Sequence, residues 1–220
     1  MWPTRRFADP SPPAGQNGDG APLNRFGVFC KSSYLSNPMR MNLKFSVSSP
    51  RADRIHYVNE QDVRVLLGRL PDALWSRLRA VHFNDQSRGA RTLGYVTTRG
   101  RREITLCALP PRIGLTAALH KGQTSEKFGA RRGHKWPVLA VRRFMLYYVF
   151  LHELGHLQLI DERAPSARRK FADETLAHAF AIEWCNRLWS ESFVHADPVH
   201  NPPSPSENAA LAAETSPSQM

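Results

Sequence analysis

The sequence contains no long apolar run. The longest stretch without a polar residue is eight residues, from Phe144 to Leu151, whereas a membrane-spanning helix needs about 18. The start of the chain also lacks the apolar segment that defines a secretory signal peptide. We therefore expect no membrane association and predict a cytoplasmic protein.

Cysteine is rare as well. Only three cysteines occur in 220 residues, and none belongs to a Cys-x-x-Cys pair. An odd and scattered set of this kind excludes a disulfide framework and a cysteine-based zinc site. The length is enough for one ordinary domain with flanking segments.

Proline is scarce only in the middle of the chain. Five of the 17 prolines fall between residues 51 and 195. Residues 1–50 and 196–220 are rich in proline and small polar residues, a composition that buries too little apolar surface to offset the entropy of ordering. The sequence therefore predicts one folded domain at 51–195, preceded and followed by disordered segments.

Hydrophobic periodicity inside that domain predicts both helices and strands. The predicted helices are 60–70, 72–79, 137–160 and 165–189, and the predicted strands are 80–83, 92–98 and 103–109. Turn-like segments separate the strands, which favours a small antiparallel sheet. The expected fold class is α+β, with the sheet packed beside two long helices.

The first long helix contains the motif His152-Glu153-Leu154-Gly155-His156. On a helix the two histidines share one face, about 6 Å apart along the axis, so both rings can bind one zinc ion. Glu153 projects about 100° away and can take a proton from a water whose pKa the metal lowers. Two hydrogen-bonded core histidines are the alternative.

A catalytic zinc site takes three protein ligands, and the next helix offers candidates for the third. Glu174 lies 18 residues after His156 and begins an apolar stripe at helical spacing. Asp173 is the adjacent alternative. His178 follows Glu174 by one turn and could orient a ligand or stabilise an oxyanion. The alternative for His178 is a partly exposed helix histidine without a role.

These two segments, HELGH and ETLAHAFA, together with the preceding strand EITLC, resemble the minimal gluzincin peptidases, which include the ImmA/IrrE-type regulatory peptidases. The resemblance covers about residues 90–190 and implies a zincin-like domain that holds one Zn²⁺ ion per chain. It implies His152, His156 and Glu174 as the metal ligands, Glu153 as the catalytic base, and His178 where the family usually has Asn or Asp. It also implies that a strand binds peptide substrate by β-addition, for which 103–108 is the candidate.

Positive charge is concentrated in one window. Residues 88–143 contain 13 Lys or Arg and two acids, which equals the net charge of +11 of the whole chain. Basic residues interspersed with glycine and aromatic residues are typical of nucleic-acid binding. The alternatives are a solvated basic surface, or a groove for an acidic polypeptide or a DNA-bound protein.

Together these patterns predict a zinc-dependent metallopeptidase that acts on a protein or peptide substrate. The alternative function is a basic nucleic-acid-binding regulator whose zinc site is structural or vestigial.

Overall fold

Strands and helices alternate in the first half of the fold, and helices dominate the second half. The structure is a computed structural model that describes residues 43–85, 92–97, 101–159 and 167–213. The strands are β1 (Lys44–Val47), β2 (Ala80–Asn84), β3 (Gly94–Thr97) and β4 (Glu103–Cys107). The helices are α1 (Glu60–Gly68), α2 (Asp72–Trp75), α3 (Val138–Phe144), α4 (Leu151–Gln158), α5 (Ala167–Ser190) and α6 (Pro205–Ala213). The predicted α+β class is confirmed.

The four strands form a mixed sheet in the order β1-β2-β4-β3. β1 is parallel to β2, β2 is parallel to β4, and β3 is antiparallel to β4. The prediction of an antiparallel sheet was therefore wrong, apart from the β3–β4 pair. One reason is that β1 reaches β2 through α1 and α2, and a helical crossover of this kind joins parallel strands.

The second reason is the burial of β4. Ile104, Leu106 and Cys107 on this strand are at most 3% exposed, so β4 takes an interior position between two neighbours. The less apolar β3 is half-buried along its length and takes the edge.

Both ends of the folded part extend beyond the predicted domain. β1 lies within 1–50, where disorder was predicted. The sequence does not reveal this strand because it has only four residues and most of them are exposed. At the other end, a 3₁₀ turn (Pro198–His200) and α6 lie within the predicted disordered tail. Val199 and His200 are buried there, which anchors the segment. Residues 1–42 and 214–220 lie outside the described residues.

The chain is helical from Val138 to Gln158, because a π-helical segment (Met145–Phe150) joins α3 to α4. Every residue of that segment is buried. The helix therefore forms the centre of the core, with α4 in contact with β3 and with α5. No helix in the described part of the chain has the length and apolarity to cross a bilayer.

Candidate metal centre

Three predicted ligands meet between α4 and α5. The Nε2 atoms of His152 and His156 are 3.1 Å apart. One carboxylate oxygen of Glu174 lies 3.4 Å from Nε2 of His152, and the other lies 3.4 Å from Nε2 of His156. The sequence-predicted set is thus brought together by the fold.

The spacing of these atoms fits a tetrahedral ion. Zinc bonds of about 2.0–2.2 Å to nitrogen and oxygen give a tetrahedron with edges of about 3.3 Å. The distance between the two Nε2 atoms, and the distance from each Nε2 to its nearer oxygen of Glu174, lie within a few tenths of an ångström of that edge. Three protein ligands of this type leave the fourth position open, as in catalytic zinc sites.

A close contact between the two helices brings Glu174 to the histidines. Gly155 lies against α5, and a Cβ at this position would be 3.1 Å from the Cα of Ala177 and 3.2 Å from the Cβ of Phe180. Ala177 and Phe180 belong to the apolar stripe that follows Glu174 in the sequence. The small and apolar residues of both helices therefore set the distance between the ligands.

The fold keeps both ligand histidines in the neutral form that binds metals. Burial, and then the neighbouring rings of His156, His178 and His120, lower the pKa of His152 to about 3. Burial also lowers the pKa of His156, although Glu174 and Asp173 oppose it. The buried Nδ1 of His152 has no hydrogen-bond partner among the described residues, whereas its Nε2 faces His156 and Glu174.

Asp173, the alternative third ligand, is placed differently. Its charge acts on His156, but the group of ligand atoms that lie within 4.8 Å of one another consists of His152, His156 and Glu174. Glu174 therefore fits the ligand position better.

Glu153 lies beside the ligand group and is 7% exposed. Burial, reinforced by the charge of Glu174, raises the pKa of Glu153 to about 8, while a hydrogen bond from the backbone N–H of Val96 opposes the shift. Such a carboxyl group is suited to exchanging protons near neutral pH. Its place is next to the three ligands rather than among them.

His178 lies on the same side of the cluster and is held by two neighbours. The hydroxyl of Tyr148 is 2.7 Å from its Nδ1, and the ring of His120 stacks on its ring at 4.0 Å between centroids. If the tyrosine donates this bond, the proton of the neutral imidazole lies on Nε2. Tyr148 was not predicted, although its position four residues before His152 puts it on the motif face of the helix.

These residues line a cleft of about 520 Å³. One wall is α4 and α5, another is the stretch from Thr92 to Val96, and Ala118 contributes from a loop. The predicted substrate strand, 103–108, does not fit this arrangement, because β4 is paired on both sides by β2 and β3. β3 is the strand that has both an edge position and a place in the cleft wall.

The basic window is not one continuous surface. Arg142 pairs with Asp62 and Asp197, and the buried Arg143 pairs with Glu207. Phe128 and Trp136, two of the three aromatic residues in this window, are at most 5% exposed, whereas the third, Tyr95, is half-buried and lines the cleft. The structure therefore removes two cations and two aromatic residues from any nucleic-acid surface.

No protein-family model, no curated protein and no solved structure matches this chain.

Proposed function

We propose that this protein is a zinc-dependent metallopeptidase that holds one Zn²⁺ ion through His152, His156 and Glu174. The observation that carries the proposal is the triangle formed by the side chains of His152, His156 and Glu174, whose nearest ligand atoms are 3.1, 3.4 and 3.4 Å apart. The buried carboxyl group of Glu153 lies next to this triangle and in the same cleft. A purely structural site would require the ligands but would not require that carboxyl group.

When bound, zinc polarises a peptide carbonyl and lowers the pKa of water. Glu153 accepts the proton of the attacking water and passes it to the departing amine nitrogen. Its burial supports this role, because a neutral acid and a carboxylate are then close in free energy near neutral pH.

His178 stabilises the negative charge that develops on the carbonyl oxygen. Its Nε2–H donates a hydrogen bond, and Tyr148 fixes that tautomer through Nδ1. Tyr148 is therefore a positioning residue, and His178 is the group that touches the substrate.

β3 binds the substrate backbone in this proposal. The N–H of Cys107 bonds to the carbonyl of Leu93 across the β3–β4 pair, and alternation along an antiparallel pair then turns the backbone groups of Gly94 and Val96 away from β4. Both residues line the cleft. The N–H of Val96 bonds to Glu153, so the substrate pairs with Gly94 and with the carbonyl of Val96 in this proposal. A peptide that lies along this edge places a bond above the ligand triangle.

Glu153→Gln tests the proposal. The variant keeps the size of the side chain but cannot accept a proton, so we expect full zinc content and a loss of turnover of about 100-fold or more. Zinc is measured by elemental analysis, and cleavage by mass spectrometry of new termini in a broad peptide library. Glu183→Gln, on the exposed face of α5, is the matched control and should retain both properties.

Cleavage that persists undiminished in Glu153→Gln would contradict the role of this residue. A wild-type protein that binds no zinc after reconstitution would contradict the metal site itself.

A further inference from the structure

A loop between β4 and α3, residues 111–135, forms a fixed structure beside the cleft. We name it the basic loop. Leu115 and Phe128 are buried and form the interior of the loop. Phe128 packs edge-on against Phe144 of α3, with 5.0 Å between the ring centroids. The two ends of the loop meet, since the N–H of Gly133 bonds to Oγ1 of Thr116 at 3.1 Å and the N–H of Trp136 bonds to the carbonyl of Ile113 at 2.9 Å.

The charged side chains of this loop are six cations and one acid, Glu126. Its exposed cations are Arg112, Lys121, Arg132 and Lys135. Because the two ends of the loop are joined, Arg112 lies near Arg132 and Lys135. Glu126 is the only acid between residues 104 and 152, so almost no negative charge in the surrounding sequence offsets these cations.

The same loop contributes to the wall of the cleft. Ala118 lines the cleft, and His120 stacks on His178 at 4.0 Å. Lys121 directly follows His120, which places its backbone at the rim. Lys121 therefore lies beside the place where a substrate would meet the ligand triangle, and the bond from Gly133 to Thr116 ties Arg132 to the segment that leads to Ala118. Because the loop is anchored, little entropy is lost when a partner binds.

We infer that the basic loop selects polypeptide substrates that carry acidic residues near the cleaved bond. The inference rests on the proposed peptidase function and adds the class of substrate to it. Complementary charge raises the local concentration of an acidic chain at the cleft and orients it.

Charge alone also suits a nucleic acid, but two features favour a polypeptide. Phe128 within the loop and Trp136 next to it lie in the core, whereas single-stranded nucleic acids are bound by exposed aromatic rings. The cleft is also bordered by a strand edge at Gly94 and Val96, which matches an extended peptide backbone.

The test uses the full-length, zinc-loaded Glu153→Gln protein, which binds without cleaving. Fluorescence anisotropy compares three labelled probes of equal length: a Glu-rich peptide, the same peptide with Gln in place of Glu, and oligothymidylate. We expect the Glu-rich peptide to bind about tenfold more tightly than the Gln peptide, with an advantage that shrinks as salt is added.

A second variant locates the binding. Adding Lys121→Gln, Arg132→Gln and Lys135→Gln should remove most of the tenfold preference, because the charges that attract the acidic peptide are lost. The matched control replaces Lys44, Arg77 and Arg79 with Gln; these residues are exposed and lie outside the loop. That control should keep the preference.

Equal affinity for the two peptides, or tighter binding of oligothymidylate than of the Glu-rich peptide, would overturn the inference. A loss of the preference in the control variant would overturn it too. These outcomes can be told apart from a failure of the proposed function. The binding experiment measures affinity without cleavage, whereas the peptidase assay measures cleavage of a broad peptide library by the wild-type protein.

Discussion

Two buried polar regions lie on the central helix, and they compensate their polar groups in different ways. One is the ion-pair network around the start of the helix, formed by Asp62, Arg142, Arg143, Asp197, His200 and Glu207. Arg142 lies 2.9 Å from Asp62 and 2.8 Å from Asp197, and Arg143 lies 2.9 Å from Glu207. Opposite charges meet inside this network, so it is complete without a ligand.

The other region is the histidine cluster at the far end of the helix, formed by His120, His152, His156 and His178. Its ring centroids are 4.0 to 4.7 Å apart, and Glu174 is the carboxylate in its ligand group. Here proton acceptors face one another. Burial alone therefore does not identify a functional site, whereas proton acceptors that converge on one point indicate a place for a cation.

The largest expected effect comes from exchanging one buried histidine in each region. His156→Ala removes a proposed metal ligand, so zinc affinity should fall by about 100-fold or more. Loss of a residue that only supports a ligand costs less, about 10- to 100-fold. His200→Ala, the matched change in the network, should leave zinc binding intact and lower the free energy of unfolding. Zinc titration and urea denaturation of both variants measure the two effects. Equal zinc loss in both would erase the distinction between the regions.

The ion-pair network should contribute to stability rather than to metal binding. Arg143 is 1% exposed and donates hydrogen bonds to Glu207 and to the carbonyl of Pro198. Arg143→Met removes these bonds and should lower the free energy of unfolding by about 3 kcal/mol, the lower end for a broken buried pair. Urea denaturation gives this value, and zinc content should match that of the wild type. A variant with normal stability would show that α6 is held by other contacts.

The grouping of His152, His156 and Glu174 could be predicted from the sequence because helical periodicity fixes most of it locally. His152 and His156 are one turn apart on a single helix, and side chains on one face of one helix need no knowledge of the rest of the fold. Glu174 lies on another helix, and the stripe that includes Ala177 and Phe180 indicates which side of α5 faces the histidines. Glu174 is in line with that stripe, which favours it over Asp173.

The sheet could not be predicted in the same way, because its order depends on contacts between distant segments. β1 has only four residues and most of them are exposed, so its pattern is too short to predict a strand. Without β1, the sequence does not show the helical crossover that makes β1 and β2 parallel. The position of Tyr148 against His178 also depends on how α5 packs on the helix. Pairings of this kind are tertiary, and one sequence contains no local signal for them.

The pH dependence of stability should distinguish the two regions further. Burial, and then the charge of His195, lower the pKa of His200 to about 4. The ordinary pKa of histidine is about 6.5. Between that pH and the lowered pKa of His200, the unfolded chain binds a proton at this residue and the folded protein does not. Stability is therefore complete above this window and decreases as the pH falls through it.

His200→Gln removes this proton. The variant should show a shallower slope of unfolding free energy against pH within the window, by an amount that reaches about 3 kcal/mol in total. Glu207 contributes at lower pH, because hydrogen bonds from Arg143 lower its pKa and its stabilisation is lost only as the pH falls through that lowered value. Both proteins are measured by urea denaturation at a series of pH values. Identical slopes would mean that the pKa of His200 is the same in the folded and the unfolded chain.

The smallest expected effect tests the helix contact that sets the ligand distance. In Gly155→Ala the new methyl group would lie 3.1 Å from Ala177 and 3.2 Å from Phe180, and crowding of this kind costs about 1–3 kcal/mol. The gain in helix propensity returns about 1 kcal/mol, so the net loss of stability should be near 1 kcal/mol. Because α5 must move to relieve the contact, Glu174 moves with it, and zinc affinity should fall about tenfold.

The control for this change is Gly68→Ala in α1, where a Cβ would meet nothing within 4 Å. It gains the same propensity without crowding, so it should stabilise the protein slightly and leave zinc affinity unchanged. Zinc titration and urea denaturation of the two variants separate the two contributions. If Gly155→Ala binds zinc as the wild type does, the spacing of α4 and α5 is not what places Glu174, and the ligand geometry must instead be set by the side chains themselves.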